Sequence, residues 1–199
     1  MTDSDLKNIL GNLDIYLLDQ ILKGRYLKED KILDAGCGSG RNMYWFYHNQ
    51  FNIWAMDNDL TNIESVKEIY PGCSDQFIVS ELDEMPYTNG EFNHIICNAV
   101  LHFARNEKHF IGMMAEILRV LKVHGSIFIR MASNIGIEEL VVSEGNGIFS
   151  IPDGTQRFLL TRELLDSFMA KFNLTFLEPV KTTNVHDVRC MTTLVLKKN

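Results

Sequence analysis

The sequence has no surplus of basic residues, no paired cysteines and no long apolar run, and each shortage removes a class of function. Lys and Arg number 19 against 26 Asp and Glu, a net charge of −7, so the cationic surface on which non-specific nucleic-acid binding depends is missing. The four cysteines, Cys37, Cys73, Cys97 and Cys190, form no CxxC pair and no zinc-type spacing with histidine. Neither a disulfide framework nor a metal site is expected. No apolar stretch approaches the roughly 20 residues that span a bilayer, and "MTDSDLKNIL" is acidic and polar where a secretory signal is basic and then apolar. The expectation is a cytoplasmic protein that acts on a small molecule, with neither nucleic acid nor membrane as partner. No stretch has to be an interface, so the oligomeric state stays open.

What is present is enough apolar material for one full core: 199 residues, 46% of them hydrophobic, which fits a single domain over 1–199. Residues 1–30 are expected to form a helical cap, in which "NLDIYLLDQILKGRY" places Ile15, Leu18, Leu22 and Tyr26 at helical spacing, with Asn12 or Asp14 as cap and Gly24 near the end. Strands are then expected at "KILDAG", "FNIWAMD", "QFIVS", within "NHIICNAVLHF" and at "SIFIRMA", alternating with helices at "RNMYWFYHNQ", "LTNIESVKEIY" and "NEKHFIGMMAEILRVLKVHG", the last closed by Gly125. Such alternation implies parallel pairing through right-handed crossovers, a three-layer α/β sandwich. The end differs: a glycine-rich loop, a helix "TRELLDSFMAKF" capped by Thr161, and two runs, "NLTFLEPV" and "RCMTTLVLKK", that have to pair antiparallel because no helix separates them.

The segment "KILDAGCGSGRN", Lys31 to Asn42, carries the chemistry. Gly36, Gly38 and Gly40 can turn tightly and let a ligand approach the main chain at the carboxyl end of the first strand, where open α/β sheets bind ligands. The dinucleotide fingerprint G-x-G-x-x-G would need its third glycine at Arg41, so a nicotinamide-dependent oxidoreductase is the disfavoured alternative. Asp34, two residues before the first glycine, suits a ligand with positive charge better than a pyrophosphate. S-adenosylmethionine carries a sulfonium and an ammonium. Asp57, twenty-three residues beyond Asp34 at the end of the second strand, can accept hydrogen bonds from both ribose hydroxyls, while Asp59 suits a helix cap.

Together these residues resemble the class I S-adenosylmethionine-dependent methyltransferases over nearly the whole chain. "LDAGCGSGRN" is similar to that family's first motif. The resemblance implies a Rossmann-like, mostly parallel seven-stranded sheet of order 3-2-1-4-5-7-6 with the last strand antiparallel. It also implies that Asp34, Ala35, Gly36, Cys37, Gly38 and Gly40 line the methionine part of the cofactor, with Asp34 toward its amino group and Asn42 alongside. Asn58 stands beside Asp57, Glu81 and Leu82 take the places that bracket the adenine, with Asp83 the substitute for Glu81, and Asn98 and Ala99 fall near the sulfonium. The length, the "GSGRN" variant and both termini look like bacterial methyltransferases of the tellurite-resistance and methyltransferase-domain 11 type.

Methyl transfer from a sulfonium is an in-line displacement with an activated leaving group, so the protein has chiefly to align the nucleophile and exclude water. His102, just past the fourth strand, is the candidate base if the acceptor needs one, with a packed structural histidine as its other reading; His186 is next. Arg130 and Arg157 are candidates for an anionic acceptor, and residues 134–157, with glycines at 145, 147 and 154, for a substrate lid. Met43, Trp45, Phe46 and Tyr47 read as core rather than as an aromatic cage, and Cys37 as a small residue rather than a reactive thiol. A chain that binds the cofactor without catalysis remains the other alternative.

Overall fold

The computed structural model describes residues 3–199. The chain starts with α1 (Asp3–Leu10) and α2 (Ile15–Leu22), then runs β1 (Lys31–Ala35), α3 (Tyr44–His48), β2 (Asn52–Asp57), α4 (Leu60–Ile69), β3 (Phe77–Val79), β4 (Phe92–Asn98), α5 (Glu107–Val120) and β5 (Leu121–Ser133). Three short strands follow, β6 (Val142–Gly145), β7 (Ile148–Ser150) and β8 (Gln156–Phe158), and then α6 (Arg162–Lys171), β9 (Leu174–Phe176), β10 (Lys181–Val185) and β11 (Arg189–Lys198). None of the described helices is long and apolar enough to cross a membrane.

The main sheet has the order β3-β2-β1-β4-β5-β11-β10, parallel from β3 to β5, with β11 reversed against β5. Leu196 of β11 pairs with Ile127 of β5 and also with Phe176 of β9, so β9 lies on the flank of β11 that β10 occupies. β9 and β10 are therefore two parts of one edge strand, interrupted around Pro179, which has no N–H to give a ladder. This is the expected order 3-2-1-4-5-7-6, with its sixth position split.

Alternation along the strands divides the core. Ile32, Ile53, Ile96, Phe128 and Val195 face a layer containing Leu17 of α2, Phe46 of α3 and Ile63 and Val66 of α4. Leu33, Ile95, Ile129 and Leu194 face Phe110, Met114 and Ile117 of α5 and Phe168 of α6. Full burial of each such side chain is worth about 1.5–3 kcal/mol, which is why short helices such as α3 persist. β6, β7 and β8 form a separate antiparallel sheet, with Phe149, Ile151 and Leu159 around it packed on Ala132 and Met191 at the tops of β5 and β11.

Four sequence expectations need correction. The N-terminal segment is two helices, and the face of α2 is rotated: Ile15 and Leu22 are 71% and 78% exposed, while Leu17 and Gln20 are buried. Asp14 fixes that rotation by capping Tyr16 N–H while its own carboxylate is buried against Arg130. α3 begins at Tyr44, after a turn over 41–43, rather than at Arg41. α5 ends at Val120, because Leu121 already pairs with Phe92. Gly125 is not its cap: a Cβ there would meet the Asn93 carbonyl at 2.7 Å. Finally, the stretch 134–157 is not one continuous loop, since β6, β7 and the start of β8 lie within it.

Candidate active site

A cavity of about 440 Å³ opens at the carboxyl ends of β1, β2 and β4, lined by the loop after β1, by the ends of β2 and β4 and by the start of α5. Each glycine of the loop has a different reason to be there. A Cβ on Gly36 would lie 2.3 Å from Val100, and one on Gly40 would lie 2.8 Å from both Tyr70 and Val66, so these two serve packing. Gly40 does not line the cavity; its carbonyl accepts from the Tyr70 hydroxyl. Gly38 does line it, at φ +52°, and a Cβ there would meet nothing within 4 Å. It is the position where bare backbone is offered to a ligand.

Asp34 and Ala35 are buried beneath this loop rather than at the cavity wall. Both carboxylate oxygens of Asp34 lack a hydrogen-bond partner. Burial pushes its pKa up to about 7, with Asp57 adding to the rise and Arg41 opposing it. Unpaired buried polar groups cost about 1–3 kcal/mol each, and a cation placed above Asp34 removes that cost. Asn98, 7% exposed, lines the cavity with both side-chain polar atoms unpaired. Beside it Ala99 sits at φ 63°, a strained conformation for a residue other than glycine, held by donating its N–H to the Arg130 carbonyl at 2.7 Å.

Asp57 lines the cavity and organises it, accepting from Gly38 N–H at 2.8 Å, Asp59 N–H at 3.0 Å and Asn62 Nδ2 at 3.1 Å. Asp59 caps α4 at Thr61 N–H. Asn58 and Glu81 also line the cavity and bond each other at 3.3 Å, with buried Leu82 alongside. Cys37 and Asn42 complete the loop wall; burial raises the Cys37 thiol well above the ordinary range, which makes it a poor nucleophile. Residues that fit a nucleoside with an ammonium-bearing side chain are thus together: Asp34 for the cation, Asp57 for the ribose, and Asn58, Glu81 and Leu82 for the base.

The candidate base is elsewhere. His102 is outside the cavity lining and buried, its Nδ1 accepts from Ala132 N–H at 3.3 Å, and burial, with Arg157 adding, pushes its pKa down to about 4. Burial keeps it neutral and the backbone occupies its lone pair, which fits a packed histidine better than a base. Arg157 is also outside the lining, 5.3 Å from the Phe103 ring centroid, and Arg130 lies behind the cavity against Asp14. His186, at φ 51°, belongs to an exposed hairpin turn. Met43 and Phe46 are fully buried in the core. Among the residues that sequence reasoning passed over, Phe103, His109 and Met113 reach the cavity. The last two are one turn apart on α5, so their i, i+4 spacing was the available signal. His109 accepts from Arg105 N–H through Nδ1 and faces Asp83 Oδ2 at 3.3 Å.

No cluster suited to a metal ion occurs among the described residues. Residues 33–129, just under half the chain, match the methyltransferase domain family. The Bacillus subtilis (strain 168) protein described as uncharacterized methyltransferase YodH is 30% identical over 112 residues, which covers 55% of this chain and 43% of that protein. The chain thus spans less than half the length of this curated relative. Among solved structures, a SAM-dependent methyltransferase from Methanosarcina mazei superposes with a TM-score of 0.74 at 17% identity, covering 89% of this chain and 96% of that one. A second, the Burkholderia thailandensis 1,6-didemethyltoxoflavin-N1-methyltransferase with its substrate and S-adenosylhomocysteine bound, gives 0.68 at 15% identity over 98% and 82% of the two chains. These structures share the fold.

Proposed function

We propose that this chain, whose residues 33–129 carry a methyltransferase domain, is a class I S-adenosylmethionine-dependent methyltransferase that acts on a small molecule. The observation that carries the reading is the buried, partnerless carboxylate of Asp34 under a loop whose Gly38 faces open space. A dinucleotide phosphate placed there meets a negative charge; an ammonium is stabilised by it. When bound, S-adenosylmethionine supplies a methyl group on a sulfonium that is ready to leave.

The chain's own residues hold and orient. Asp34 takes the ammonium, Asp57 the ribose hydroxyls, and the Gly36–Asn42 backbone closes over the methionine part, while Asn98 and Ala99 set the floor at the reacting end. The titratable residues that line the cavity are already engaged: Arg41 by Asp14, Asp57 by its three donors, Glu81 by Asn58 and His109 by Asp83. Cys37 is held in its thiol form by burial. With no free base at hand, rate comes from alignment and exclusion of water, and the acceptor is a nucleophile that needs no deprotonation by the protein.

Calorimetric titration with S-adenosylhomocysteine tests the site, and mass spectrometry of cell extract incubated with the protein and methyl-labelled cofactor tests the activity. The expected results are saturable binding at one site and a labelled small molecule. Failure of S-adenosylhomocysteine to bind refutes the assignment. Binding with no labelled product from a broad panel of thiols, amines and hydroxyls favours a non-catalytic cofactor-binding role instead.

A further inference from the structure

Buried polar atoms without a partner are not scattered through this protein. Apart from the Tyr87 hydroxyl, those among the described residues belong to Asp34, Asn98, Arg130, Asn134 and Thr193. Three of these form a row across adjacent strands: Asn98 of β4 is paired directly with Arg130 of β5, and Arg130 directly with Thr193 of β11. Directly paired residues project from the same face of a sheet, so the free Asn98 amide, the free Arg130 Nε and the free Thr193 hydroxyl lie side by side. Asn98 opens onto the cofactor cavity, and the other two lie beyond it.

Neighbouring elements cover this row. α2 roofs it, with Asp14 Oδ2 3.3 Å from Arg130 Nη1 and the Tyr16 ring centroid 5.3 Å from the guanidinium carbon. Further along the same face, Ala132 and Met191 carry the small sheet. The charge balance is positive: Asp14 is shared between Arg130 and Arg41, the latter at 3.6 Å, so two guanidinium groups meet one carboxylate. Asp34 is negative but stands on the next strand, where the cofactor's ammonium claims it. The row itself offers N–H groups from Arg130 and Asn98 and the Thr193 hydroxyl, a donor-rich set that suits a planar oxyanion.

We propose that Asn98, Arg130 and Thr193 form a subsite for a carboxylate borne by the methyl acceptor. This rests on the methyltransferase reading, which puts the acceptor next to the cofactor's reacting end and therefore beside Asn98. It narrows the acceptor to a small molecule with an acid group, anchored beyond the cavity while its nucleophile points back into it.

The test is titration of benzoate, with benzamide as the neutral analogue, into the full chain with and without saturating S-adenosylhomocysteine. Expected is benzoate binding about tenfold or more tighter than benzamide in the loaded protein, with the preference lost in Arg130→Gln and reduced in Thr193→Val. The threonine variant guards against a folding defect, because its hydroxyl has no partner to lose. Equal binding of benzoate and benzamide, or a preference that neither variant changes, overturns the subsite and leaves the row to water. Competition between benzoate and S-adenosylhomocysteine overturns the acceptor assignment, because the row would then hold the cofactor's own carboxylate. A protein that fails to bind S-adenosylhomocysteine refutes the methyltransferase reading separately, and the benzoate titration without it still decides whether the row takes a carboxylate.

Discussion

Replacing Asp34 by Asn separates what this residue does for stability from what it does for binding. Its carboxyl is completely buried and its pKa is raised from 3.8 to about 7, first by burial and then by Asp57. A carboxyl shifted upward on folding favours the folded state most where it is protonated in both states, below about pH 4. That contribution is lost as pH rises through about 4 toward 7, because the unfolded chain ionises first. The loss amounts to about 4 kcal/mol as an upper bound, three pH units at roughly 1.4 kcal/mol each. Asp34→Asn cannot ionise, so the ligand-free variant should match the wild type near pH 4 and be more stable at pH 8, by about 2 kcal/mol or roughly 5 °C after relaxation around the site.

Binding should move the other way. The carboxylate-to-ammonium hydrogen bond is of the charge-assisted class, so Asp34→Asn should weaken S-adenosylhomocysteine about 10- to 100-fold. At pH 7 the wild-type carboxyl is close to half ionised, so ligand binding should release about half a proton. Calorimetry in buffers of different ionisation enthalpy measures that proton, and the variant should release none from this site. Denaturation at pH 4 and pH 8 gives the stability arm. A variant no more stable than wild type at pH 8, or one that binds as tightly, refutes the reasoning.

Asp57→Ala should weaken S-adenosylhomocysteine by more than tenfold with the fold intact by circular dichroism, since it removes both a ribose acceptor and the tether of Gly38; unchanged affinity sinks the site. Gly40→Ala should lower the melting temperature more than Gly38→Ala, because both residues have positive φ but only Gly40 would drive its Cβ against Tyr70 and Val66. Gly38→Ala should instead show its main effect as lost ligand affinity in the same thermal assay run with S-adenosylhomocysteine. His102→Phe should leave S-adenosylhomocysteine affinity within about twofold while costing about 1–3 kcal/mol of stability, as Ala132 N–H loses its acceptor; a change in affinity without a change in stability would return His102 to the active site.

Sequence was informative wherever the constraint is local to one strand and its turn. The alternation of strands and helices, and the places of Asp34, Gly38 and Asp57 at the carboxyl ends of β1 and β2, follow from short apolar runs that end on glycine or acid, whereas the order of the sheet comes from the resemblance of those residues to a known family. It misled where a tertiary contact decides between two local solutions. The stripe Ile15, Leu18, Leu22 looks like a buried face, yet burial of Asp14 against Arg130 turns α2 so that Ile15 and Leu22 are exposed. Gly125 looks like a helix stop, yet it is glycine because the Asn93 carbonyl comes too close for a Cβ. His102 looks catalytic by position, but the direction of one side chain depends on which backbone N–H needs an acceptor, here that of Ala132, thirty residues away. The same limit applies to the Asn98, Arg130 and Thr193 row. Its members lie on three strands separated by long stretches of sequence, and only the antiparallel register of β11 against β5 brings the last of them into line. In the proposed methyltransferase, cofactor recognition rests on strand ends and their turns and acceptor recognition on a register between strands, so sequence reads the first far more readily than the second.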